Sequence, residues 1–146
     1  MSSDSPIQNW LDCLQENGYR LTTPRQAVVE IIASSQRVLS PFEVFELART
    51  RCPRLGLVTV YRTVEKLEEL GLIQRVHQPS GCHSFIATAP GHQHPLICQS
   101  CGHVQFINGE KLDWLTEGLG IEYGYRIQDH WLQVFGICEE CLQNNK

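Results

Sequence analysis

The chain has 146 residues, 42% of them hydrophobic and 19% charged, with a formal charge of −4. That suits one or two small domains with modest cores. No run of 18 apolar residues occurs, which excludes a membrane-spanning helix. Met1-Ser2-Ser3-Asp4-Ser5-Pro6 has neither the basic nor the apolar stretch of a secretory signal, so a cytoplasmic protein with no membrane partner is expected.

The charge is uneven. Residues 1–76 carry nine Lys/Arg and nine Asp/Glu, whereas residues 77–146 carry three against seven. The acidity therefore belongs to the second half, and a nucleic-acid surface remains open to the first if its arginines cluster.

From Pro6 to Asn17, Ile7, Trp10, Leu11 and Leu14 fall at helical spacing, and Gly18 suits a C-terminal stop. Arg20 follows on a short linker. Thr23 as N-cap and Pro24 at the first helical position open a second helix, with Ala27, Val28, Ile31 and Ile32 inward. Ser40-Pro41-Phe42-Glu43 reads as a capping box. The third helix it opens runs to about Arg51, with Val44, Phe45, Leu47 and Ala48 inward, and Pro53 ends it. A fourth helix, capped at about Val58 or Thr59 and stopped by Gly71, turns Val60, Val64, Leu67 and Leu70 to the core and leaves Tyr61, Arg62 and Lys66 elsewhere.

Leu72–Val76 and Ser84–Ala87 read as strands joined by a turn at Pro79-Ser80-Gly81. Helices followed by a hairpin spell a winged helix-turn-helix, with the fourth helix in the major groove and the hairpin as wing. On that reading Tyr61 contacts a base edge or sugar, and Arg62 a base or phosphate. Thr59 and Arg25 anchor phosphates, and Arg20 reaches a minor groove. A plain helical subdomain would leave all five as solvated residues.

Thr88 to Gly91 reads as a short hinge. Strands at Leu96–Cys98 and His103–Ile107, a helix from about Gly109 to Gly118, and strands near Tyr125–Gln128 and Trp131–Ile137 make a small α/β domain suited to pairing with a copy of itself. The expected division is residues 1–87, a hinge at 88–94, and residues 95–146. The fold class is α+β.

Seven cysteines are present, four of them in two C-x-x-C pairs. In a cytosolic chain this favours metal over disulfides. Cys98/Cys101 and Cys138/Cys141, 36 residues apart, suit a closed tetrahedral Zn(II) site, each knuckle supplying half the ligands. A redox pair of thiols would need only one such motif. His92 and His94, two apart on an extended chain, point to one side. With His130 and Asp113 they offer three imidazoles and a carboxylate, a set that suits a second divalent metal: Zn(II), Fe(II), Mn(II) or Ni(II). His77, Cys82 and His83 form another cluster around the wing, where a thiolate would favour Zn(II). A free thiol beside two surface histidines is the alternative.

Four stretches together resemble the ferric uptake regulator family of metal-dependent repressors: Gly18-Tyr19-Arg20-Leu21-Thr22-Thr23-Pro24-Arg25; Thr59-Val60-Tyr61-Arg62 with Gly71-Leu72-Ile73; His92-x-His94-x-x-x-Cys98-x-x-Cys101-Gly102; and Cys138-x-x-Cys141. The resemblance covers about Gly18 to Cys141. It implies a winged-helix domain, a hinge and a dimerisation domain, acting as a homodimer on a palindromic double-stranded DNA operator. It matches Tyr61 and Arg62 to the recognition pair and Arg20 to the minor-groove residue. It matches the four knuckle cysteines to structural zinc, and His92, His94, Asp113 and His130 to a regulatory site.

Departures from the family pattern are informative. Gln93 and Pro95 replace the alternate residues of the His-rich run. Val38 stands where the family has a His, and Ile86 lies near a usual wing ligand. With a cysteine at position 82, the chain looks more like the zinc-responsive branch than the iron, manganese, nickel or peroxide branches. A zinc deaminase is disfavoured, because no H-x-E occurs and all four knuckle ligands are Cys. A purely structural adaptor would leave the Tyr61-Arg62 helix unexplained.

Overall fold

The computed structural model describes residues 5–78, 80–81 and 83–144. The chain divides into two compact units, one ending at Thr88 and the other starting at Ala89. Among the described residues no helix is long and apolar enough to cross a membrane.

The first unit begins with four helices, α1 (Pro6–Glu16), α2 (Thr23–Ala33), α3 (Pro41–Arg49) and α4 (Leu57–Glu69). A hairpin of β1 (Ile73–His77) and β2 (His83–Ala87) follows, in antiparallel register from Ile73↔Ala87 to His77↔His83. Leu39 bridges Phe85 and so ties the segment before α3 to the hairpin. Trp10, Leu14, Val28, Ile32, Val44, Val60, Leu67 and Phe85 share one apolar core. Burial at this spacing, more than helix propensity, holds the helices in place.

Ser40 forms the expected capping box: its hydroxyl accepts from Glu43 N–H at 3.2 Å, and Glu43 accepts from Ser40 N–H at 2.7 Å. Other expectations shift. The cap of α2 is Thr22, not Thr23. Thr22 has extended backbone and its hydroxyl accepts from Arg25 N–H, which leaves Pro24 inside the first turn, where its missing donor does no harm. Helix α4 starts at Leu57, earlier than expected, with Gly56 as an extended N-cap that has no side chain to contribute. In α2 Val29 is fully buried and Ile31 only partly so. In α3 Val44 and Ala48, one turn apart, face the core, and Leu47 falls to the side with 42% of its surface exposed.

The second unit holds a three-stranded sheet in the order β4-β3-β5. β3 (Gln93–Cys98) is central, antiparallel to β4 (Val104–Asn108) and parallel to β5 (Val134–Gly136). A single 3₁₀ turn (Gly109–Leu112) leads into α5 (Asp113–Tyr123), and α6 (Glu139–Asn144) ends the described chain. Gln93 and His94 already belong to β3.

Helix α5 runs past the expected end at Gly118. A helical glycine costs only about 1 kcal/mol against alanine, too little to stop it. The stop comes at Gly124, left-handed at φ 72°. Tyr125 N–H then closes on Gly120 C=O at 2.9 Å. A Cβ at Gly120 would lie 2.7 Å from the Tyr125 carbonyl oxygen, so the return of the chain needs a glycine there. This cap takes up the backbone of Tyr125, and the strand expected at Tyr125–Gln128 does not form. The strand expected at Trp131–Ile137 shortens to the three residues that reach β3.

No residue of α5 is buried. Trp114, Leu115, Leu119, Ile121 and Tyr123 are all exposed, as are Tyr125 and Trp131 beyond it.

Candidate metal centres and nucleic-acid interface

The sheet of the second unit brings the four knuckle cysteines together. Cys98 ends β3 and the tight turn after it presents Cys101, with Gly102 N–H donating to Cys98 C=O at 2.9 Å. The parallel pairing of β5 with β3 places Cys138 and Cys141 beside them. All four Sγ atoms lie within 4.8 Å of one another. Cys98 and Cys141 are 3.9 Å apart, and Cys101 and Cys138 are 3.7 Å apart. A zinc tetrahedron with Zn–S bonds of about 2.3 Å sets sulfurs about 3.8 Å apart, so this donor set fits zinc.

The thiols are also electrostatically divided. Backbone N–H groups of Cys101 and Cys138 lower the pKa of Cys98 to about 6. Cys141 receives a Ser100 side-chain hydrogen bond that favours thiolate. The sulfurs of Cys138, Cys101 and Cys98 nonetheless help push it up to about 12. A cluster that would accumulate negative charge is thus poised for a cation.

The second cluster consists of His92, His94 and His130. His92 immediately precedes β3, His94 is buried within it, and His130 lies in the irregular segment before β5. Their Nε2 atoms form a triangle with sides of 2.9 Å (His92–His130), 3.0 Å (His130–His94) and 3.2 Å (His94–His92). For metal–nitrogen bonds of about 2.0–2.1 Å, a right-angled face needs about 2.9 Å between nitrogens and a tetrahedral one about 3.4 Å. The three imidazoles therefore fit either geometry. Burial lowers the pKa of His94, helped by the charges of His130 and His92, and a Leu132 backbone hydrogen bond opposes this. The neutral imidazole that a metal requires is favoured.

Asp113, the first residue of α5, does not point at the nitrogen triangle. Its carboxylate stands 3.9 Å from Nδ1 of His92, the other ring nitrogen. This is where a carboxylate orients a ligating histidine from behind. Pro95 is fully buried in β3, and Gln93 donates to the Pro90 carbonyl at 3.1 Å. Val38 and Ile86, in the first unit, are buried core residues.

His77 and His83 are paired directly across the β1–β2 hairpin, and both are exposed. Cys82, the third member of that expected cluster, lies outside the described residues.

In the first unit α4 exposes Val58, Tyr61, Arg62 and Glu65 as a stripe at i, i+3, i+4 and i+7, opposite buried Val60 and Leu67. Thr59 is half-buried, and its carbonyl accepts from Thr63 Oγ1 at 2.7 Å. Arg20 is exposed on the loop before α2. Arg25 plays a part that composition did not reveal: its Nη1 donates to the Arg20 carbonyl at 2.8 Å and pins that loop. Lys66 lies over the Tyr19 ring, 4.9 Å from its centroid, and joins the same loop to α4. Sequence reasoning passed over Tyr19, Lys66 and Leu132 because no spacing rule joins them.

The family model described as "Ferric uptake regulator family" matches residues 16–135. The ferric uptake regulation protein of Bacillus subtilis is 32% identical over 132 residues, covering 88% of this chain and 89% of the relative. Among solved structures, a zinc-bound manganese uptake regulator is 26% identical with a TM-score of 0.74, covering 88% of this chain and 98% of its own. A zinc uptake regulator complexed with zinc and DNA has the same fold, at TM-score 0.70 and 21% identity, covering 99% of this chain and 98% of its own.

Proposed function

Because this chain belongs to the ferric uptake regulator family, a family of metal-responsive, DNA-binding transcriptional regulators and not of enzymes, we propose that it is a zinc-responsive repressor. It acts in the cytoplasm as a homodimer on a palindromic operator. The observation that carries the metal response is the convergence of three imidazole nitrogens on one point in the second unit, beside a separate four-cysteine site.

The two sites divide the work. Cys98, Cys101, Cys138 and Cys141 hold a structural Zn(II) that fastens the end of the chain to the central strand. His92, His94 and His130, with Asp113 behind His92, hold the regulatory ion. That ion joins the start of β3 to the segment before β5, and so fixes the residues just after the boundary between the two units. Metal binds only the joined arrangement and shifts the population toward it. Tyr61 and Arg62 on α4 then read bases, while Arg20 and Thr59 contact the backbone and minor groove.

Zinc is favoured by Cys82, which stands between His77 and His83 in the sequence, where a thiolate would make a second, zinc-selective site. The exposed apolar surface of α5 and of the chain beyond it supports a dimer, since patches of this kind mark interfaces. The test is operator binding, with the duplex selected from a random pool and titrated with zinc, iron(II) and manganese(II) under reducing conditions. Affinity should rise with free zinc, and a Cys82→Ala variant should respond less. Equal affinity in zinc-loaded protein and in protein lacking the regulatory ion would refute the switch.

Iron or manganese sensing is the second reading. The nitrogen triangle favours it: sides of 2.9, 3.0 and 3.2 Å approach the right-angled face of a six-coordinate ion. A stronger response to iron or manganese than to zinc would establish it.

A further inference from the structure

We propose that Gly109 positions His92 for metal binding: lacking a side chain, it gives the His92 ring a seat from which Nε2 reaches the other two imidazoles. The proposal rests on the regulatory metal site described above. A Cβ placed on Gly109 would lie 2.6 Å from Cγ, from Cδ2 and from Cε1 of His92. Three ring atoms at one distance mean that the face of the ring, not its edge, covers this glycine.

Ordinary contact begins at 3.4 Å, so an alanine would drive the ring away by roughly 0.8 Å. Metal–ligand bonds tolerate only about ±0.2 Å. Gly109 has no positive φ, so alanine meets no backbone strain and the whole conflict falls on the ring. The backbone cannot yield easily. Gly109 N–H donates to the His92 carbonyl at 2.8 Å, and the adjacent pair Gln93↔Asn108 begins the β3–β4 ladder. Asp113 closes the Nδ1 side of the same ring. Relief comes from displacing the imidazole, which takes Nε2 out of the triangle.

The experiment uses the full chain with its structural zinc in place. Gly109→Ala and the wild type are titrated with Co(II) and with Zn(II), and the absence of thiolate-to-cobalt charge-transfer bands shows that the cysteine site keeps its zinc. Affinity at the histidine site should fall about 10–100-fold, as when an orienting residue is removed, with no thiolate bands in either protein. Thermal unfolding without the regulatory ion is then compared for His92→Ala and for His92→Ala/Gly109→Ala. The glycine change should be nearly neutral once the ring is gone. Wild-type affinity in Gly109→Ala, or equal destabilisation by this change with and without the His92 ring, overturns the proposal. If the wild type itself binds no second ion, the regulatory-site reading fails, and this inference with it.

Discussion

His92 and His130 are 38 positions apart, yet their Nε2 atoms stand 2.9 Å apart. No strand pairing joins them. His130 lies in a segment without regular structure, so something other than the backbone ladder must make the closeness useful, and a shared cation is the simplest agent. His130→Ala should remove the second metal ion and the metal response while leaving the cysteine site loaded. Metal content measured per chain, with and without a mild chelator wash, checks this. Retention of the second ion would exclude His130 as a ligand.

The cysteine site is expected to behave differently. Among the described residues of the second unit, the sheet has only three strands and no residue of α5 is fully buried within one chain, so the apolar core alone is thin. Structural-zinc binding is then folding free energy. Cys98→Ser or Cys141→Ser should lower structural zinc from about one per chain to near none and give a monomeric or unfolded second unit. Circular dichroism and sedimentation, with zinc assayed in parallel, would show it. A well-folded dimer without zinc would contradict it.

Tyr61 and Arg62 are exposed on α4 and contribute nothing to the core, so their replacement separates binding from folding. Arg62→Ala or Tyr61→Ala should weaken specific operator binding by about 1–3 kcal/mol for each base edge no longer read, with metal content and melting unchanged. Binding competition against scrambled duplex distinguishes a base contact from a phosphate contact. A uniform weakening across sequences would reassign the residue to the backbone.

How much of this was legible in the sequence depends on the range of the signal. The Ser40 capping box and the Cys98-x-x-Cys101 knuckle are local, and both formed as read. The grouping of His92 and His94 with His130 came from the resemblance to the family, by counting from the knuckles to its ligand positions. What failed was set by closure over distance. The expected strand at Tyr125–Gln128 lost to a helix cap that depends on Gly120 meeting the Tyr125 carbonyl. For Arg25, read as a phosphate anchor, the sequence did not show its hold on the Arg20 carbonyl, which only the turn before α2 brings within reach. Asp113 sits on the helix as expected but behind His92, because the turn at Gly109–Leu112 sets where α5 begins.

The loop carrying Arg20 is held at two points, by Arg25 on the Arg20 carbonyl and by Tyr19 under Lys66. Lys66 also pairs with Glu69 at 2.9 Å, and the pKa of Lys66 is raised, mainly by that hydrogen bond and by Tyr19. The ammonium therefore stays charged and serves as a tether to α4. Tyr19→Ala should loosen the loop and reduce operator affinity by roughly a few-fold, the scale of one cation–π interaction, without changing the metal response. The salt dependence should stay nearly constant, because Arg20 keeps its charge. A change in salt slope as large as that of Arg20→Ala would mean that Tyr19 does more than position the loop.

Ile121 tests the assembly. It lies in α5 with 85% of its surface exposed, beside a cavity of about 710 Å³ lined also by Thr116, Tyr125 and Ile127. In a lone chain a glutamate there costs little, since surface substitutions away from packed features stay within about 0.5 kcal/mol. In a dimer that covers α5, the same charge is buried without a partner and strongly opposes association. Ile121→Glu should therefore give a folded, zinc-loaded monomer with weakened binding to a two-half-site operator and undiminished binding to a single half-site. Sedimentation equilibrium across a range of concentrations decides the matter. An unchanged dimer would place the interface elsewhere on the second unit and leave the apolar surface of α5 to another partner.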